Sequence, residues 1–92
     1  MAAGIHAARV AVYQAAWLKD QKGDCPREAC IAKLLGTEIA KRVTVDGLQI
    51  MGGYGYMKEY EMERFLREAI LGTIVAGTSE IMKNVIAGTY GL

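Results

Sequence analysis

Several residue types that build common functional sites are scarce in this sequence. It has one histidine, His6, and two cysteines, Cys25 and Cys30, which do not have C-x-x-C spacing. Zinc sites and dithiol redox centres need clusters of such ligands. We therefore expect no metal site, and we expect both cysteines to be reduced, as in a cytosolic type of compartment.

Long apolar runs and blocks of basic residues are also absent. No stretch of about 18 uninterrupted apolar residues occurs, so we expect no membrane-spanning helix. His6 and Arg9 interrupt the apolar start of the chain, and we therefore expect no signal peptide. Eleven basic and ten acidic residues give a net charge of +1 without a basic run, which argues against a nucleic-acid partner.

The length and the apolar content point to a small domain that associates with other chains. The 92 residues suffice for one domain, and 52% of them are apolar. Because a chain this short has a large surface for its volume, its apolar faces need cover from another chain or segment. We therefore expect residues 1–92 to form one helical domain that assembles into a homo-oligomer.

Helical spacing of apolar residues dominates the first half of the chain. A first helix is predicted from Ala2 to Gln21, with a second apolar stripe that indicates two neighbouring elements. The residues of that stripe are Val10, Tyr13 and Trp17. A second helix is predicted from Asp24 to Met51, with Pro26 in its first turn, where the missing N–H does no harm. Lys33 lies off the apolar face of this helix.

The second half contains two shorter helices. Residues Lys58–Arg64 indicate a charged, solvated connector, and a third helix is predicted from Phe65 to Ile74. A fourth helix is predicted from Thr78 to about Gly88. No alternating strand pattern occurs anywhere. The sequence therefore predicts an all-α fold, an antiparallel helical bundle of three to four helices that is incomplete by itself.

Glycines and hydroxyl residues mark two junctions between helices. In the first, Gln49–Tyr56, three glycines (Gly52, Gly53 and Gly55) predict a helix end followed by a turn with positive φ. This turn fits neither the dinucleotide-binding fingerprint nor a P-loop, because no strand precedes it.

The second junction, Ala76–Ile81, opens the last helix. Gly77-Thr78-Ser79 supplies an N-cap, and Glu80 lies in the first turn. A helix start of this kind presents N–H groups that suit a phosphate, a carboxylate or an electron-rich ring atom.

The residues of both junctions carry a family resemblance. Three segments occur at spacings like those of one known family: Gln49-Ile50-Met51-Gly52-Gly53-Tyr54-Gly55-Tyr56, Arg67-Glu68-Ala69 and Gly77-Thr78-Ser79-Glu80-Ile81. Together with Ala16–Asp20 and Ala29–Lys33 they closely resemble the C-terminal part of flavin-dependent acyl-CoA dehydrogenases, over nearly the whole chain. A complete subunit of that family has a helical domain, a β-domain and a C-terminal helical bundle. The resemblance implies that this chain is the last three or so helices of the bundle.

The resemblance also implies cofactor, substrate and partners. One group of residues would lie against the pyrophosphate or adenosine of an FAD held mainly by a neighbouring subunit, namely Gln49, Ile50, Met51, Gly52 and Gly53. Thr78, Ser79 and Glu80 would line the FAD at the helix start. Ala76 and Gly77 would face the acyl thioester. The complete enzyme would take acyl-CoA and pass electrons to an electron-transfer flavoprotein, in the cytoplasm of a bacterium or the mitochondrial matrix of a eukaryote.

Ala76 departs from the common family pattern. Many members carry at this position the glutamate that abstracts the α-proton, and alanine has no basic group. Either the base lies on an earlier helix, as in isovaleryl-CoA and long-chain dehydrogenases, or proton abstraction has been lost. Glu80 is one helical turn away and is expected beside the flavin. We therefore assign no catalytic residue to this chain and expect it to be inactive alone.

Two other interpretations remain open. The chain can be a non-catalytic, self-associating helical module, such as a truncated gene product. It can also be a generic helical bundle whose glycine turns serve only as caps.

Overall fold

The computed structural model describes residues 1–92 and contains only helices and turns. The α-helices are α1 (Ala2–Lys22), α2 (Pro26–Met51), α3 (Gly53–Tyr56), α4 (Met62–Gly72) and α5 (Ser79–Thr89), and a short 3-10 helix spans Lys58–Tyr60. The predicted all-α bundle is confirmed. None of these helices combines the length and the apolar character needed to cross a bilayer.

Helices α1 and α2 form an antiparallel hairpin. The turn between them begins at Gly23, whose N–H donates to the carbonyl of Lys19. Both cysteines are free thiols, and the Sγ of Cys25 donates to the carbonyl of Ala15 at 3.6 Å. Ala15 and Ala32 are the two buried apolar residues of the chain. Small side chains therefore form the centre of the hairpin contact, which lets the two long helices lie close together.

Helices α4 and α5 follow one another along α2, and both run antiparallel to it. At the start of α4 the Met62 side chain lies against Gly47, and at its end Gly72 lies against Thr37. Near the start of α2, the guanidinium of Arg27 donates to the carbonyl of Thr89 at 2.8 Å, at the end of α5. Because α4 and α5 lie end to end, the molecule is elongated, measuring 46 × 23 × 18 Å.

The start of α4 differs from the prediction. The charged segment assigned to a connector contains the first turn of α4, and two ion pairs with i, i+4 spacing lie along this helix: Glu63–Arg67 at 3.0 Å and Arg64–Glu68 at 3.7 Å. Charges at that spacing support a helix, so the connector is shorter than predicted. Glu61, which precedes the helix, has φ 58°. Proline cannot adopt this angle.

Little of the apolar surface is covered within the chain. Only four of 92 residues are buried, and all five tyrosines, the single tryptophan and the single phenylalanine are exposed. Helix α1 packs on α2 and on no other helix, so the second stripe does not find its predicted second neighbour within this chain. The Cα radius of gyration is 15.2 Å, against about 12 Å for a compact domain of this length.

Candidate functional site

The segment between α4 and α5, residues 73–78, is the first candidate site and is called the α4–α5 loop below. The N–H of Ser79 donates to the carbonyl of Thr73 at 3.0 Å, which closes the loop at its base. Ala76 and Gly77 at its tip have φ of 55° and 98°. Glycine adopts such angles readily, but for alanine the left-handed region costs about 1–2 kcal/mol.

Three successive N–H groups at the tip have no acceptor in the chain. The N–H groups of Ala76, Gly77 and Thr78 take part in none of its hydrogen bonds. The next cap contact is made, because the N–H of Ile81 donates to Thr78 Oγ1 at 3.2 Å. This confirms the predicted N-cap. Consecutive N–H groups in a turn bind anions or carbonyl oxygens, so the tip can donate hydrogen bonds to an oxygen atom of a ligand.

Helix α2 holds the loop from behind through two polar side chains. Lys33 Nζ donates to the carbonyl of Gly72 at 2.9 Å and also to the carbonyl of Gly77. Ser79 Oγ donates to Glu38 Oε1 at 2.6 Å. Lys33, which lies off the apolar face of α2 in the sequence pattern, therefore faces the α4–α5 loop and bonds to its backbone. No local periodicity reveals these contacts, although Lys33 is unusual in standing between Ile31-Ala32 and Leu34-Leu35.

The residues predicted to face a flavin or a thioester here differ in accessibility. Ala76 and Glu80 are exposed, and Gly77 and Thr78 are half-buried. Ser79 is 4% exposed, and its hydroxyl donates a hydrogen bond to Glu38. The Ser79 hydroxyl donates within the chain, whereas the Thr78 hydroxyl only accepts from Ile81, so the donors left for a ligand are the backbone N–H groups and the Thr78 O–H. Whether Ser79 contacts a flavin stays a prediction.

The second candidate site is the turn Gly52–Gly55, called the glycine turn below. Gly52 has φ 60°, as predicted for a helix end. Its N–H donates to the carbonyl of Gln49 at 3.2 Å, and its carbonyl accepts from the N–H of Gly55 at 3.0 Å. Instead of an open turn, residues Gly53–Tyr56 form one helical turn. The N–H groups of Gly52 and Gly55 are therefore used within the chain.

The glycines of this turn differ in whether the chain itself requires glycine. A Cβ at Gly55 would lie 2.8 Å from the carbonyl oxygen of Leu48, so close packing on α2 requires glycine there. A Cβ at Gly53 would meet nothing within 4 Å, and no positive φ is present. Nothing within the chain requires glycine at Gly53, and its open backbone fits close approach by an external group such as a pyrophosphate.

Exposed apolar and aromatic side chains surround the glycine turn. Ile50 is 71% exposed and Tyr56 is 80% exposed, and the rings of Tyr54 and Tyr60 lie 5.1 Å apart. Of the predicted flavin contacts, Gln49, Gly52 and Gly53 are exposed and Met51 is half-buried. This end of α2 therefore offers an apolar surface next to bare backbone.

The structure does not bring the two candidate sites together. The loop contacts α2 at Lys33 and Glu38, whereas the glycine turn follows Gln49. Glu38 and Lys33 precede Gln49 on this helix by eleven and sixteen residues, which is about 16 and 24 Å at 1.5 Å per residue. No single pocket of this chain contains both groups of predicted flavin-binding residues.

Comparison with known proteins identifies the family. Residues 1–90 match the family described as "Acyl-CoA dehydrogenase, C-terminal domain". The chain belongs to the acyl-CoA dehydrogenase family, whose members are FAD-dependent oxidoreductases. This confirms the resemblance carried by the two junctions.

Individual relatives agree with the family assignment. The chain is 52% identical to the probable acyl-CoA dehydrogenase YngJ of Bacillus subtilis, with 95% of this chain and 23% of that protein covered. It is 43% identical to the caffeyl-CoA reductase-Etf complex subunit CarC of Acetobacterium woodii, with coverage of 96% and 23%. The chain thus spans about a quarter of the length of these relatives.

A solved structure has nearly the same fold. It is described as the electron transferring flavoprotein of Acidaminococcus fermentans, in work towards a mechanism of flavin-based electron bifurcation. The TM-score is 0.94 at 40% sequence identity, and the match covers 98% of this chain and 24% of the other. The arrangement of α1–α5 is therefore that of one part of a larger flavoprotein chain.

Proposed function

We propose that this chain is the C-terminal part of an FAD-dependent acyl-CoA dehydrogenase that introduces an α,β double bond into an acyl-CoA thioester. The observation that carries the proposal is the row of N–H groups at Ala76, Gly77 and Thr78, which have no acceptor in the chain. Family membership supplies the chemistry for which such a row is suited.

The N–H groups at the loop tip have a defined task in this reaction. Removal of the α-proton places negative charge on the thioester carbonyl oxygen. N–H groups of Ala76 and Gly77, fixed before the reaction, stabilise that oxygen as charge develops. When bound, FAD supplies the acceptor for the β-hydride.

The proton goes to a base outside this chain. The methyl side chain of Ala76 cannot accept it, and no other residue of the loop tip is acidic. We propose that in the complete protein a carboxylate from outside residues 1–92 lies near Ala76. This requirement supports our proposal that the isolated 92-residue chain does not turn over acyl-CoA.

We further propose that the two sites serve different parts of the cofactor arrangement in a homo-oligomer. Their separation of about 16–24 Å along α2 supports this division. Gln49–Gly53 would meet the pyrophosphate or adenosine of an FAD held by a neighbouring subunit, and Thr78–Glu80 would lie beside the flavin of its own subunit. The uncovered aromatic side chains supply apolar surface for that assembly.

An electron-transfer flavoprotein is the proposed electron acceptor of the complete enzyme. Two similar proteins support this choice: CarC belongs to a complex with Etf, and the structural neighbour is described as an electron transferring flavoprotein.

A carbonyl-deletion comparison tests the role of the loop. In the complete flavoprotein, flavin reduction and binding are measured with butyryl-CoA and palmitoyl-CoA and with the matching S-alkyl thioethers, which lack the carbonyl oxygen. We expect at least one thioester to reduce the flavin. The matching thioether should bind about tenfold or more weakly than that thioester, because the N–H groups lose their acceptor. Equal binding of both compounds, or no reduction by either thioester, contradicts the proposal.

A self-associating helical module without chemistry is the second candidate function. It is favoured by the exposure of all seven aromatic side chains in a chain with four buried residues. Sedimentation of the 92-residue chain with and without FAD distinguishes the two. A stable oligomer that binds no FAD, together with a complete protein that shows no flavin reduction, would support the module.

A further inference from the structure

Lys33 links the base of the α4–α5 loop to its tip. Its Nζ donates to the carbonyl of Gly72, the last residue of α4, and to the carbonyl of Gly77 at the loop tip. Lys33 forms no ion pair with any carboxylate. The half-buried ammonium group of Lys33 therefore bonds only to these two backbone oxygens.

The contact with the Gly77 carbonyl fixes the direction of a neighbouring donor. The carbonyl of Gly77 and the N–H of Thr78 belong to one planar trans peptide unit, in which they point in opposite directions. When the carbonyl points toward α2 and Lys33, the N–H of Thr78 points away from α2, toward the open side of the loop. A cation on the carbonyl also polarises the peptide unit and strengthens its N–H as a donor.

The loop needs such support because its tip is in an unfavourable conformation. Ala76 has φ 55°, in a region that residues with a side chain avoid. The second contact from α2, between Glu38 and Ser79, begins only after the tip. Lys33 is thus the one side chain of α2 that holds the tip itself.

We propose that Lys33 is a positioning residue: its contact with the Gly77 carbonyl directs the Thr78 N–H toward the flavin, and by holding the loop tip it places the adjoining N–H groups of Ala76 and Gly77 at the thioester carbonyl. This inference rests on the proposed function and extends it to a residue that touches neither substrate nor cofactor. It predicts that Lys33 determines how strongly the site distinguishes a carbonyl-bearing ligand from one without a carbonyl.

The test uses the complete flavoprotein with three substitutions. Lys33→Met keeps an unbranched stem but removes the donor, and Lys33→Arg keeps the charge with a planar donor group. Lys41→Met is the matched control, because Lys41 lies on the same helix, is exposed, and its side chain makes no hydrogen bond or ion pair; only its backbone carbonyl accepts a bond, from Thr44 Oγ1. Two quantities are measured: the limiting rate of flavin reduction, and the ratio of thioether to thioester dissociation constants.

We expect Lys33→Met to lower the limiting rate by about tenfold or more. Its dissociation-constant ratio should fall toward one, whereas Lys41→Met stays within about twofold of wild type in both quantities. Lys33→Arg should lie between wild type and Lys33→Met. The ratio compares two ligands on one folded protein, so a general loss of folded enzyme does not change it.

The possible results distinguish a failure of the positioning role of Lys33 from a failure of the proposed function. If wild type shows no preference for the thioester, the proposed function fails. If wild type shows the preference and Lys33→Met keeps it unchanged, the positioning role of Lys33 is wrong while the proposed function stands. If Lys33→Met does not fold, Lys33→Arg decides: a ratio reduced at least about twofold supports the role, and a ratio equal to that of wild type overturns it.

Discussion

The two candidate sites achieve defined backbone geometry by different means. The glycine turn is held by local backbone hydrogen bonds and by steric fit: Gly55 packs against the backbone of Leu48, and no side chain caps the turn. The α4–α5 loop is held by side-chain hydrogen bonds: Lys33 donates to its backbone, Glu38 accepts from Ser79 just after it, and Thr78 accepts from the Ile81 N–H. A turn held by fit should therefore be sensitive to added volume, and a loop held by hydrogen bonds to lost donors and acceptors.

The largest effect on stability is expected at Gly55. In Gly55→Ala the new Cβ would lie 2.8 Å from the carbonyl oxygen of Leu48, and a backbone atom cannot move aside as a flexible side chain can. We expect the free energy of unfolding to fall by about 1–3 kcal/mol. Urea unfolding of the 92-residue chain, followed by circular dichroism at one fixed protein concentration, measures it.

Gly53→Ala is the control for this substitution, because a Cβ there meets nothing within 4 Å. Its unfolding free energy should stay within about 0.5 kcal/mol of wild type or rise slightly. Equal destabilisation by both substitutions would show that steric fit does not hold the glycine turn.

A smaller effect is expected from the cap of α5. Thr78→Ala removes the acceptor of the Ile81 N–H, and losing an N-cap of this type costs about 1 kcal/mol. Thr78→Ser keeps the hydroxyl and should stay close to wild type in the same urea experiment. If Thr78→Ser loses as much as Thr78→Ala, the contribution of Thr78 comes from its methyl group and not from the cap.

The sequence was sufficient for the elements whose signals are local. Pro26 in the first turn of α2, the glycine that ends α2, and the N-cap at Thr78 each act within a few residues, and the structure confirms them. The start of α4 was predicted too late, because a dense run of charges resembles a connector unless its i, i+4 pairing is recognised.

The contacts that shape the candidate site could not be predicted in the same way. Lys33 and Gly77 are 44 residues apart, and Ser79 and Glu38 are 41 apart. Such contacts depend on which face of α2 receives α4 and α5 and on their end-to-end order. Apolar periodicity assigns Lys33 only to a position off the apolar face, because it does not reveal that a long stem can place its charge on backbone carbonyls of another element.

The smallest effect on stability, and the sharpest test of the glycine turn as a binding site, is expected at Gly53. Because Gly53→Ala adds a methyl group to an open surface, the fold should tolerate it, but a pyrophosphate that approaches the backbone would lose room. In the complete protein we expect the FAD dissociation constant to rise by about tenfold, equivalent to roughly 1.4 kcal/mol, with the unfolding midpoint unchanged. Unchanged FAD affinity would mean that Gly53 does not face the cofactor. The glycine turn would then contribute only to the fold, and binding would depend on the hydrogen-bonded loop alone.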